Sequence, residues 1–130
     1  MTKEEEYIQM LKNLGVLFQE LSDAVEYVIA NIEEMRKKAP TLKKERVECY
    51  LKVAQSYSRR YKCRGISPGW SLERDMDYTL QNMLSFFREF DEAYLPYGEN
   101  HEKWNPRIEQ IYGQIEKQEY EIRRLLETLK

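Results

Sequence analysis

The chain reads as an all-α protein, an antiparallel bundle of about four helices whose first helix is long and heptad-patterned. Three observations predict this. Apolar residues recur at steps of three and four along four segments, the spacing that gathers them on one helix face. No stretch shows sustained strand-type alternation. The five glycines and four prolines are few and lie mostly between those segments, which favours uninterrupted elements. With 130 residues, 42% hydrophobic and 34% charged, residues 1–130 form a single domain with a real core.

The first helix is expected over residues 3–38. Thr2 and Glu5 have capping-box spacing. Leu11, Leu14, Phe18, Leu21, Val25, Val28, Ile32 and Met35 then alternate steps of three and four, an a/d seam. Ile8, Leu17 and Ile29 widen the face beyond a two-stranded seam, as a bundle requires. Arg36, Lys37 and Lys38 suit the negative end, and Pro40 stops the helix. Such a helix is roughly 55 Å long and overhangs its partners by roughly 15–20 Å. Dimerisation through the overhang, or a bend near Gly15, would cover it.

A second helix is expected over residues 42–63. Thr41 is its cap, and Leu42, Arg46, Cys49 or Tyr50, Val53, Tyr57 and Tyr61 mark its face. Gly65 ends it and "GISPG" is the turn. Ser71 caps a third helix over residues 72–95, with Glu73, Asp75 and Asp77 at its positive end. Its seam is Leu72, Met76, Leu80, Met83, Phe87, Phe90 and Tyr94, with Leu84 and Phe86 beside it. After the loop "LPYGENHEKW", Asn105 and Pro106 open the last helix, residues 106–129. Gln118 interrupts its seam of Ile108, Ile111, Ile115, Ile122, Leu125 and Leu129, a substitution that fixes register or partner number.

Net charge is −2, yet residues 41–74 carry nine Lys/Arg against three Glu. Within them, "YSRRYKCRGISPGW" places Arg59, Arg60, Lys62 and Arg64 at a helix end, among Tyr57, Tyr61 and Trp70. Cations stabilise a helix C-terminus by ~0.3–1 kcal/mol each, which is reason enough for some of them. Four in six positions, flanked by aromatics, is an excess. Tyr, Trp and Arg are favoured anchors of protein interfaces. Arg also forks onto phosphate, and Tyr61 or Trp70 could stack on a base. Tyr97 and Trp104 flank the polar loop and are further surface candidates.

Catalytic sets are absent from the sequence. His101, the only histidine, lies in a loop with carboxylates alone beside it. Cys63 has cationic neighbours but no base. Cys49 and Cys63 lack metal or framework spacing and read as reduced thiols. "QELSDAVEYV" resembles half of the signature of the all-α nucleotide pyrophosphohydrolases, which bind Mg²⁺ with two acidic pairs. Glu20 and Asp23 match its E-x-x-D half over about ten residues, while Glu4, Glu5 and Glu6 lack the spacing of the other half. The resemblance implies Mg²⁺-dependent nucleotide hydrolysis.

The leading expectation is a non-enzymatic cytoplasmic protein that binds another protein as adaptor, inhibitor or regulatory subunit, and forms a homodimer. Its contacts are Arg59, Arg60, Tyr61, Lys62, Arg64, Trp70, Tyr97 and Trp104. The alternative is a nucleotide or single-stranded nucleic acid at the same edge, and the third is the hydrolase. No cofactor, catalytic residue or metal ligand is expected in the leading reading. No apolar run approaches the ~20 residues needed to span a membrane, and "MTKEEEY" lacks the apolar segment of a signal peptide.

Overall fold

The computed structural model describes residues 1–38, 40, 42–62, 65–94 and 106–130, with the backbone alone at 38 and 92–94. Among the described residues all regular structure is helical: α1 (Lys3–Ala30), α2 (Ile32–Lys38), α3 (Lys44–Lys62), α4 (Leu72–Tyr94) and α5 (Pro106–Glu127).

The long first helix is present but breaks earlier than its periodicity predicts. Thr2 caps it by accepting from the Glu5 amide at 3.1 Å. At Asn31 the backbone leaves the helical region (φ −117°, ψ 29°). The Asn31 amide is shared between the Tyr27 and Val28 carbonyls, and its side-chain amide donates to Tyr27 O at 2.9 Å. Its own carbonyl accepts from Met35 and so opens α2. The side-chain spacing runs through this point undisturbed, because the break is made by the backbone.

The break brings Ile32 and Leu42 into the core, 7% and 2% exposed. Arg36 Nε donates to Leu42 O at 3.1 Å and holds the α2–α3 connection. Leu42 thus precedes α3 instead of starting it; the expected cap, Thr41, lies outside the described residues. With α1 at 28 residues, α3 at 19 and α4 at 23, α1 is longer than these partners by about 8–14 Å, less than the expected 15–20 Å.

Gly15 is not a bend. It is buried in the middle of α1, and a Cβ there would lie 2.8 Å from the Lys62 amide nitrogen and 2.9 Å from its Cα. Glycine is what lets the backbones of α1 and α3 touch. Ser58 Oγ, 3.3 Å from Gly15 O, donates across this contact.

Contacting residues give the direction of each neighbouring pair. Gly15 meets Ser58 and Glu26 meets Gln55, so α1 and α3 run oppositely. Tyr57 meets Asn82 while Tyr50 meets Phe90, so α3 and α4 do too. Tyr112 reaches Asp91 near the start of α5. Lys3 Nζ donates to Thr128 O at 3.0 Å near its end.

The core is aliphatic on α1 and α5 and aromatic between α1, α3 and α4. The Phe86 ring packs edge-on against Phe18 at 4.8 Å and contacts Tyr50 and Tyr57. Phe86 is fully buried and Phe87 only half-buried, the reverse of the expected seam. Likewise α3 buries Val47, Tyr50, Ala54, Ser58 and Tyr61, while Arg46 and Cys49 are exposed. One polar cluster is buried with the core. Tyr7 Oη donates to the Asp75 carboxyl and lies 2.8 Å from Thr79 Oγ1.

Candidate functional site

The basic–aromatic edge lies where α3 ends and α4 begins. The two helices are joined by a turn that aims Trp70. Trp70 N donates to Ser67 O at 3.1 Å, and Gly69 has φ +79°. Proline then glycine at the two central positions, with positive φ at the second, makes a type II turn. Asp75 Oδ1 accepts from the Ser67 amide at 3.3 Å. The buried Asp75–Tyr7 cluster therefore anchors the turn to α1 and α4 together. Asp75, expected among the acidic residues at the positive end of the helix, is 0% exposed. Ser71 caps α4 by accepting from the Arg74 amide at 3.1 Å.

Two arginines lie over aromatic rings on this edge. The Arg74 guanidinium carbon is 4.8 Å from the Trp70 ring centre, and that of Arg60 is 5.0 Å from Tyr57. Tyr78 meets Trp70 edge to face at 5.1 Å and is 41% exposed. Tyr57 joins the two halves. Its hydroxyl donates to Asn82 O at 3.0 Å, one helical turn from Tyr78. Burial raises the Tyr57 hydroxyl above its ordinary value, with Arg60 opposing and the charges of Glu89 and Tyr78 adding.

A guanidinium over a ring keeps N–H groups to offer a carboxylate or phosphate, and Arg60 also donates to the Tyr57 hydroxyl. Ion pairs among the described residues, such as Arg36–Glu33 and Lys37–Glu34, do not involve Arg59, Arg60 or Arg74. All three arginines are exposed.

The predicted residues divide. Arg60 and Trp70 belong to the edge, and Arg59 is exposed in the last turn of α3. Tyr61 does not: it is 0% exposed and 6.0 Å from Phe18, committed to the core and closed to any partner. Lys62 turns to α1 instead, where its Nζ donates to Gln19 Oε1 at 2.9 Å. Arg64, Tyr97 and Trp104 lie outside the described residues, as do Cys63 and His101. Arg74 and Tyr78 were missed as members. Their signal was spacing: Trp70, Arg74 and Tyr78 recur at i, i+4 and i+8.

Among the described residues Glu20 and Asp23 gain no second acidic pair. Asp23 accepts from Gln19 Nε2 at 3.0 Å. Among the described residues no three His, Cys, Asp or Glu side chains gather as a metal site would require, and no helix is long and apolar enough to cross a membrane. Family models, curated proteins and solved structures contain no match to this chain.

Proposed function

We propose that this chain is a binding protein of the cytoplasm, an antiparallel four-helix bundle that docks another protein without turnover of its own. The docking edge is Arg59, Arg60, Arg74, Trp70 and Tyr78, and the partner segment carries carboxylates. One observation carries the reading: two guanidiniums are preorganised on aromatic rings of the same edge, with no carboxylate of the described chain paired to them. Preorganised arginine loses little freedom on binding, so its charged hydrogen bonds count nearly in full.

A nucleic-acid partner fits less well. Base stacking needs an open ring face. Tyr57 has Phe18 stacked at 5.2 Å and Arg60 over its ring, and Trp70 carries Arg74. A net charge of −2 also disfavours non-specific association with a polyanion.

Affinity capture with the full chain, comparing wild type with Arg60→Ala/Arg74→Ala, tests the proposal. Losing two charged contacts should weaken retention of the partner by ~10²-fold or more at physiological salt. A protein retained equally by both chains would place the interface elsewhere. Retention of nuclease-sensitive material in place of protein would favour the anionic-ligand reading.

A further inference from the structure

The cations of the docking edge continue back along α3. Between Glu48 and Glu73 the chain has no acidic residue. Lys52, Arg59 and Arg60 recur at i, i+7 and i+8, which gathers them on one face, away from the buried Tyr50, Ala54 and Tyr61. All three are exposed, and no ion pair among the described residues takes them. Ser56, at i+4, adds a hydroxyl to this row and no charge. The row has an end and two sides. Lys44 is held by Glu48 at 4.0 Å, which closes it toward the start of α3. Glu26 of α1 accepts from Gln55 at 3.3 Å along one side. Glu89 of α4 stands near enough to Tyr57 for its charge to act on that hydroxyl along the other.

We propose that the partner of the docking edge carries an extended run of several carboxylates, which continues from Arg60 along the outer face of α3 to Lys52. This rests on the docking edge proposed above and gives its partner a length and a path. Lys52 and Arg60 are eight residues apart, about 12 Å at helical rise. An extended peptide covers that distance with about four residues. Opposite charge draws carboxylates to the row, and Glu26 and Glu89 repel them from either side, which fixes the path as well as the attraction. The helix dipole favours the same path. The negative pole of α3 acts within its last turn, where Arg59 and Arg60 lie. A single carboxylate bound there meets that pole, whereas carboxylates nearer Lys52 lie beyond its reach.

Tetraglutamate and octaglutamate, titrated into the isotope-labelled full chain at low ionic strength and followed by amide shifts, test this. Wild type should bind the longer peptide about three- to tenfold more tightly, with shifts that reach Lys52 for octaglutamate alone. Lys52→Glu should remove most of that gain and leave tetraglutamate binding unchanged. Lys12→Glu, the same charge change at an exposed site on α1, should leave both peptides unaffected. Arg60→Ala/Arg74→Ala should weaken both. A gain that is absent, that survives Lys52→Glu, or that is lost equally with Lys12→Glu overturns the path along α3 and leaves the edge in place. Failure of both peptides to bind, or binding indifferent to Arg60→Ala/Arg74→Ala, removes the edge and the path together. An oligothymidylate of equal charge that binds more tightly than octaglutamate overturns the acidic peptide in favour of a nucleic acid.

Discussion

At Gly15, two opposing effects of similar size can be separated. Glycine inside a helix costs about 1 kcal/mol relative to alanine. Against that gain, a methyl group would sit 2.8 Å from backbone atoms of Lys62, which cannot rotate away. Overpacking of this kind costs roughly 1–3 kcal/mol, and parting α1 from α3 would also stretch the Ser58–Gly15 bond. Gly15→Ala should therefore lower stability by about 1–2 kcal/mol net, read as a lower urea midpoint at unchanged m value. A raised midpoint would mean that α3 can retreat freely. Tyr7 supports the other end of α1 through a hydroxyl instead of a close approach. Tyr7→Phe keeps the ring but strips the Asp75 carboxyl and Thr79 of that hydroxyl in a site without solvent. The expected loss is about 1–3 kcal/mol by the same measurement. An unaltered midpoint would show that the cluster rearranges to satisfy itself.

For whole helices, the caps and the apolar period were legible wherever one sequence signal settled one boundary. Pro106 at the first position and Ser71 before Leu72 fixed the starts of α5 and α4. The break at Asn31 was not legible. Val28, Ile32 and Met35 keep their spacing across it, and periodicity reports side-chain faces without reporting where the axis turns. In α3 the pattern found the helix and Tyr50 and Tyr61 of its inward face, but missed Val47, Ala54 and Ser58. Tyr57 and Tyr61 are one turn apart, and packing against Phe18 and Phe86 decides which is buried and which reaches the surface. Ser71 shows how an element's start bears on the edge. Its hydroxyl accepts from the Arg74 amide, so the cap stabilises the same turn that presents Arg74 to Trp70. Ser71→Ala should cost about 1 kcal/mol of unfolding free energy. It should also redden or broaden Trp70 emission before global unfolding, as the first turn of α4 frays. An emission curve superimposable on the global transition would uncouple the cap from the edge.

Across the whole molecule, charge is sorted. The basic excess of residues 41–74 is carried partly to the α3–α4 edge, while Asp91, Glu109, Glu116 and Glu119 gather where the end of α4 meets α5. The basic middle was visible in composition, as was the net −5 of residues 75–130; the gathering of these four carboxylates was not, because α4 and α5 bring together residues up to 28 positions apart only on folding. Burial raises the Glu116 carboxyl above its ordinary 4.5, and the charges of Asp91, Glu109 and Glu119 add to the rise. A carboxyl that binds its proton more tightly when folded favours the folded state. That contribution is complete below pH 4.5 and is lost as pH rises through the folded value. Above the folded value Glu116 is ionised against its surroundings. Tyr112 follows the same sign at higher pH. Burial, then the charge of Asp91, pushes its hydroxyl up, so its contribution is intact below pH 10 and is lost in alkali. Glu116→Gln removes the charge and keeps the side chain's shape. Because the position is largely open to solvent, the gain is small, about 0.5 kcal/mol or less at pH 7. It should vanish below pH 4.5, where the native carboxyl is already neutral in both states. Urea midpoints of the two chains, converging as pH falls from 7 to 4, would carry this reading; curves that stay parallel would mean that the acidic cluster does not press on Glu116.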